Sequence, residues 1–332
     1  MTHELVPVET FSIGQLANQY ASKNVFADYQ ERKADHTLRR QRGDLALFSQ
    51  YLSMAGIFIS PEDLQDKSSP WAQITHGLVD GFLRWQVQQG YAIGSINVRL
   101  STVKCYSGLA ARSGTLPQGE LALIKLVQGY RHKEGVHVDE KREVRRVGKK
   151  KETPVSISRE EAEKLKTQPD TPQGRRDALL MCLLLDHGLR CGEIADLPVT
   201  AIDLKKGMLT FYRKKVDLEQ RHELTRDTLL ASARYFEVAR PGEYLLMGSC
   251  KGGQLQGRMS ERAITARMKR LCHGIEIKGA SAHDGRHAWA TSAVAGGTDI
   301  KSLQDAGGWK SPAMPLRYAK SQTIANKGVK LG

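Results

Sequence analysis

The chain has 332 residues, with 50 Lys and Arg against 36 Asp and Glu, a net charge of +14 at neutral pH. A hydrophobic content of 40% excludes wholesale disorder. The longest apolar run, Ala178 to Leu185, is too short to cross a bilayer, and MTHELVPVET lacks the basic-then-apolar pattern of a secretory signal.

That length predicts two domains, each able to bury its own core. Residues 11–131 read as a bundle of four or five helices. His36 to Leu52 places Leu38, Leu45, Phe48 and Leu52 at helical spacing, with Arg39, Arg40 and Arg42 on other faces. Trp71 to Gln89 repeats the pattern with Ile74, Leu78, Phe82 and Trp85. Ser95 is the expected N-cap of a helix holding Val98, Leu100, Val103, Tyr106 and Leu109, closed near Gly114. A further helix is expected from Gln118 to Tyr130. About ten residues precede the first helical segment, so no additional amino-terminal domain is expected.

Residues 132–155 read as a basic interdomain linker. The stretch 131–151 holds nine Lys and Arg against four Asp and Glu, whereas residues 1–130 are nearly neutral at +1. It shows neither a 3.6-residue nor a 2-residue period. Charge alone leaves two readings open: a solvated spacer, or a strap along a phosphate backbone that releases counterions as it binds.

Residues 156–332 predict a mainly helical domain with one small antiparallel sheet. Ser158 to Glu161 is a capping box opening a helix through Leu165. Asp177 to Leu189 reads as a buried helix. Gly207 to Arg213 reads as a strand, Lys214 to Gln220 as a turn, and Arg221 to Leu224 as the partner strand. Thr225 and Ser260 are expected to cap the next two helices, and His283 to Gly296 forms a third. Thr298 is expected to cap a short helix through Asp305, and Ser311-Pro312 to begin the last one with proline at its first position. Five scattered cysteines without a CxxC pair read as reduced thiols, neither a disulfide framework nor a zinc site.

An HxxR pattern occurs three times and is uninformative alone. More specific is an ordered set: Arg190 in GLRCGEI, a lysine in the predicted hairpin, His283 and Arg286 in AHDGRHAWAT, Trp309 in AGGWKS, and Tyr318 in LRYAK. Trp309 follows Arg286 by 23 residues, and Tyr318 follows Trp309 by nine. These motifs and spacings resemble the tyrosine recombinase, or phage integrase, family. The likeness covers the whole second domain, and the helical first segment looks like the family's core-binding (SAM-like) domain. Two positions depart from the usual pattern. Gly285 replaces a large aliphatic residue before the HxxR arginine, and Pro315 falls three residues before Tyr318.

The chemistry accounts for the residue types. A phosphodiester needs its non-bridging oxygens neutralised, a nucleophile supplied and its leaving alkoxide protonated. The resemblance implies that Arg190 and Arg286 bind the phosphate with forked hydrogen bonds. It implies that Tyr318 attacks phosphorus to give a 3′-phosphotyrosyl ester. His283 would exchange the phenol proton, and Trp309 would donate its indole N–H. Glu193, one helical turn from Arg190, would orient that guanidinium. By resemblance Lys215, just before the turn, is preferred as the acid for the leaving 5′ oxygen, with Lys214 the alternative. Further DNA contacts are expected from Arg39, Arg40, Arg99, Lys104, Lys149, Lys150, Lys151, Arg258 and Arg262.

The resemblance therefore implies an enzyme that cuts and rejoins duplex DNA at specific sites, works as a tetramer on two sites, and uses no metal or cofactor. It also implies a cytoplasmic location, nucleoid-associated in a prokaryote, with no membrane partner. Alternatives on the same residues are a type IB topoisomerase-like DNA relaxing enzyme and a non-catalytic DNA-binding regulator on the same fold.

Overall fold

A computed structural model describes residues 8–145, 147, 153–250 and 252–322, and the chain divides into two compact units, residues 1–152 and 153–332. The first unit is all helix: α1 (Val8–Glu31), α2 (Asp35–Met54), α3 (Pro61–Asp66), a 3-10 turn (Ser69–Gln73), α4 (His76–Gln88), α5 (Ile93–Arg112), α6 (Gln118–Leu126) and α7 (His132–Lys141). Local chemistry sets several boundaries. Ser60 accepts from the Asp63 amide at the start of α3, with Pro61 in its first position. Thr75 accepts from the Leu78 amide at the start of α4.

Helix α5 is central, packing against α1, α2, α4 and α6. Its own Tyr106 is fully buried together with Phe48, Trp71 and Phe82 from the surrounding elements. Each such aromatic contributes about 1.5–3 kcal/mol through the exclusion of water from its ring. Their polar atoms are satisfied: Trp71 Nε1 donates to Leu64 O at 2.9 Å and Tyr106 OH to Gln41 Oε1 at 3.2 Å. The predicted cap at Ser95 is wrong by three residues. Ala92 is the extended residue before α5, and Ser95 already lies inside the helix.

The stretch read as a linker begins with a helix. In α7 the Glu134 carboxylate accepts from the Arg131 amide at 2.7 Å, closing the first turn. Gly135 lies so close to α5 that a Cβ there would stand 3.0 Å from Ile93 Cγ2. Arg142, just beyond α7, donates to the carbonyls of Val87 (3.2 Å) and Tyr91 (2.9 Å).

The second unit contains α8 (Arg159–Lys166), α9 (Pro172–Leu185), α10 (Cys191–Ala195), a 3-10 turn (Val199–Ala201), β1 (Ile202–Asp203), β2 (Met208–Arg213), β3 (Leu218–Glu223), α11 (Arg226–Val238), β4 (Met247–Ser249), β5 (Leu255–Arg258), α12 (Glu261–Gly274), α13 (Ala282–Ala295), α14 (Ile300–Gly307) and α15 (Ala313–Gln322). Strands β1, β2 and β3 form an antiparallel sheet in that order, and β4 and β5 a second antiparallel pair where one sheet was expected. Helix α9 is apolar on nearly every face because it runs through the centre, with α8, α11, α12 and α13 around it. The expected capping box at Ser158 forms, and Thr225 and Ser260 cap α11 and α12 as expected. The cap of α14 is Asp299, not Thr298, accepting from the Ser302 amide at 2.9 Å.

Among the described residues no helix is long and apolar enough to cross a membrane. All five cysteines are free thiols.

Candidate active site

Four segments of the second unit converge: the start of α10, the β2–β3 hairpin, helix α13, and the turn joining α14 to α15. Arg190 is the extended residue that opens α10. Its amide donates to Glu193 Oε2 at 2.8 Å and its Nη1 to Glu193 Oε1 at 2.6 Å. The predicted role of Glu193 as the carboxylate on this guanidinium thus has its geometry in place. Burial alone would raise the Glu193 carboxyl, but Arg213 and Arg190 outweigh it and hold its pKa below the ordinary value.

Arg286 is buried in α13. Its Nη1 donates to Gly188 O at 2.6 Å and its Nη2 to Gly307 O at 2.5 Å. The guanidinium lies 4.6 Å over the Trp309 ring. Burial, and then the neighbouring Arg190 and Arg213 cations, push Arg286 down to about 9, so it stays cationic at neutral pH. Gly188 adopts φ +60, and a Cβ there would collide with Trp289. Gly285 also has a packing reason: a Cβ would stand 3.3 Å from Leu184 Cβ, so the glycine lets α13 approach α9 closely.

Tyr318 is 6% exposed. Its ring stands 5.8 Å from Trp309 and 5.3 Å from His287. His287 in turn stands 4.7 Å from His283, edge to face. Burial raises the Tyr318 phenol, while the guanidiniums of Arg286, Arg317 and Arg190 pull it the other way without reversing the shift. The phenol is therefore protonated at neutral pH and needs a proton acceptor to become a nucleophile. Pro315 does not break the helix carrying Tyr318. It occupies the third position of α15, where a backbone donor has no partner within the helix.

The hairpin corrects the argument for the lysine. Strand β2 ends at Arg213, so Lys215 lies within the turn and not just before it. Both lie in the turn closing at Asp217, whose amide donates to Arg213 O at 2.9 Å. Lys214 pairs with Asp196 Oδ2 at 2.6 Å. Lys215 is exposed and forms no hydrogen bond or ion pair among the described residues.

Of the DNA-contact candidates, Arg39 and Arg262 are exposed. Four others are engaged within their own unit. Arg40 pairs with Asp44 at 2.5 Å, and Arg99 stacks 4.3 Å over Tyr91. Lys104 donates to Lys125 O at 2.9 Å, and Arg258 stacks 3.9 Å over Tyr244 while pairing with Asp196. Lys149, Lys150 and Lys151 lie outside the described residues. Among the described residues no group of three His, Cys, Asp or Glu could hold a metal ion.

The profile of the phage integrase family matches residues 156–324, more than half the chain. The chain belongs to the phage integrase family. A similar relative is the tyrosine recombinase XerD of Xanthomonas axonopodis pv. citri, 26% identical over 67% of this chain and 70% of that protein. Solved structures of the same fold include the Tn1549 transposon integrase in complex with a circular intermediate DNA. It has a TM-score of 0.60 and 15% identity, with 90% of this chain and 94% of that one covered. A lambda integrase dimer bound to a core site gives 0.58 and 16%, with 93% and 95% covered. This phage integrase family member is a tyrosine recombinase, and its site gathers three residues that sequence reasoning missed. Trp289 stacks 6.0 Å from Trp309, and His287 packs on Tyr318. Arg213 is the third. The alternation in MLTFYR carried a signal for it, since Leu209, Phe211 and Arg213 share the inward face of β2.

Proposed function

We propose that this recombinase cuts one strand of duplex DNA per protomer with Tyr318 and rejoins it to a partner strand. The phenolic oxygen forms a bond to phosphorus as the bond to the 5′ oxygen breaks, leaving a 3′-phosphotyrosyl ester and a 5′-hydroxyl. An incoming 5′-hydroxyl reverses the step, so the ester bond energy is conserved and no nucleotide cofactor is required. Arg190 and Arg286 bind the non-bridging oxygens, and Trp309 adds one indole donor. His283 exchanges the Tyr318 proton, and Lys215 protonates the leaving oxygen.

The observation that carries this reading is the Tyr318 phenol beside Trp309, which also lies against the buried Arg286 cation. A hydroxyl nucleophile next to a fixed guanidinium suits an anionic ester. The fold likeness to integrases solved with DNA supports duplex DNA as the substrate. The helical unit serves as the core DNA-binding domain, the basic stretch within 132–155 as a strap, and residues from 156 onward as the catalytic domain. Assembly as a tetramer on two sites, in the cytoplasm where the DNA lies, completes the reading by resemblance.

Tyr318→Phe tests it. The variant retains DNA affinity and forms no protease-sensitive covalent adduct on nicked suicide DNA. An adduct formed by the Phe variant would move the nucleophile elsewhere.

A further inference from the structure

A buried cation bonded to Glu193 has no part in that chemistry. Arg213 is 0% exposed at the end of β2. Its Nη1 donates to both Glu193 oxygens, at 2.9 and 2.8 Å, and its Nη2 to Ala306 O at 2.8 Å. Its Nε donates to Gln220 Oε1. Gly308, at φ +60, leaves no room for a side chain, since a Cβ would stand 2.6 Å from Arg213 Cδ. Gln220 ties β3 to the same turn through Asp305 O at 2.5 Å. One guanidinium thus braces the carboxylate that holds Arg190, the hairpin that carries the lysines, and the turn that leads to Trp309.

The consequence lies in how Glu193 shares its oxygens. Oε1 accepts from both Arg190 Nη1 and Arg213 Nη1, while Oε2 accepts from Arg213 Nη1 and the Arg190 amide. Arg190 therefore gives the carboxylate a single guanidinium hydrogen bond and keeps its other donors. A carboxylate without Arg213 is free to rotate into the two-pronged pairing that arginine and carboxylate prefer. That pairing would turn the fork of Arg190 away from a substrate phosphate.

We propose that Arg213 is a positioning residue for the recombination reaction, fixing the Glu193 carboxylate so that Arg190 presents its free donors to the scissile phosphate. The proposal rests on Arg190 being a phosphate ligand, and the experiment separates the two. Arg213→Met keeps much of the length without the charge, and Arg213→Lys keeps the charge without the fork. Both are compared with wild type in thermal melting, DNA affinity and single-turnover cleavage of suicide DNA. A second substrate carries sulfur at the leaving 5′ position and needs no proton donor.

Both variants are expected to bind DNA as wild type does and to cleave roughly 100-fold more slowly, the scale for losing one phosphate donor. The sulfur substrate is expected to restore neither, because the missing group is a phosphate donor rather than an acid. In a Glu193→Gln background, adding Arg213→Met is expected to slow cleavage little further, since both changes act through one carboxylate. The double variant also leaves no unpaired buried carboxylate, so it reports on cleavage even where Arg213→Met alone unfolds.

Near-normal cleavage by the Arg213 variants, additive losses with Glu193→Gln, or rescue by the sulfur substrate would each overturn the proposal. Loss of the folded state in both single variants and the double variant would reduce Arg213 to a structural brace. Arg190→Lys is measured alongside: normal cleavage there removes the phosphate clamp itself, whereas slow cleavage there with normal Arg213 variants removes only the role of Arg213.

Discussion

Arg286 directs two of its five N–H donors at backbone carbonyls, which leaves three for a substrate. The arrangement holds the guanidinium plane with no ion pair to a carboxylate among the described residues. The two hairpin lysines differ in the same respect. Asp196 accepts a hydrogen bond from Lys214 and raises its pKa, which makes it a poorer acid. Lys215 has no such partner among the described residues, which favours it over Lys214 as the proposed general acid. Lys215→Ala is expected to cleave ordinary DNA slowly and to approach wild type on DNA with sulfur at the leaving 5′ position. Lys214→Ala is expected to show no such recovery. Recovery confined to Lys214→Ala would exchange the two roles, and recovery in neither would place the acid outside the hairpin.

At the scale of elements, the register of β2 against β3 sets His222 opposite Leu209. The ring lies edge-on to Phe211 at 4.9 Å and stacked on His187 at 5.6 Å. His187, between α9 and α10, meets Thr228 Oγ1 of α11 at 3.1 Å. Burial pushes both histidines down to about 4, and for His222 the His187 ring and the Arg213 cation add to the effect. The sign follows directly. Between pH 6.5 and about 4 the unfolded chain takes up a proton at each ring while the folded chain does not. Stability therefore falls as pH falls through that window and is flat above it, by at most about 1.4 kcal/mol per pH unit per histidine. Glu193 acts lower: its depressed pKa gives stability that is present above the usual carboxylate range and lost as pH drops through the folded value. Melting temperature followed from pH 7.5 to 4.5 is expected to decline, and His222→Gln is expected to flatten the decline. An unchanged slope in that variant would mean that the ring is protonated in the fold.

The same elements show what a sequence makes readable. The capping box at Ser158 and the N-caps at Thr225 and Ser260 each lie within four residues of the chain, so their chemistry is visible locally. Arg190, Arg286, Trp309 and Tyr318 were singled out by motif, spacing and resemblance. Their convergence depends on Gly188, which lets Trp289 approach, and Gly307, whose carbonyl receives Arg286. Arg213 was missed because its significance lies in partners 20 and 93 residues away, Glu193 and Ala306. Pattern reading began the helical segment about ten residues in but traced no apolar stripe before His36, whereas α1 spans Val8–Glu31. Among its described side chains, from Ile13 onward, Val25 and Phe26 in the later turns are the buried ones, so the apolar stripe there is weak.

For the whole molecule, helix α7 redistributes the charge between the two units. Residues 132–141 carry two basic and three acidic side chains, so the helix is slightly negative. The excess falls on residues 142–151, with six Lys and Arg against one Glu. Arg142 is engaged with Val87 O, Tyr91 O and Asp139, which leaves the denser charge at Arg145, Arg146, Lys149, Lys150 and Lys151. A basic run of that length, held to the helical unit at its start, suits a strap along phosphates better than a spacer, because a spacer has no use for one sign of charge. Each phosphate that such a strap neutralises releases condensed counterions and steepens the salt dependence of binding. Replacing Lys149, Lys150 and Lys151 with Gln is expected to flatten the plot of log affinity against log salt by about 0.9 for each phosphate no longer neutralised, or roughly 2.7 if all three lysines touch DNA. The covalent step, measured at saturating protein and low salt, is expected to be unchanged, since the proposed chemistry falls to other side chains. A salt slope equal to that of the wild type would return the segment to the role of a solvated spacer.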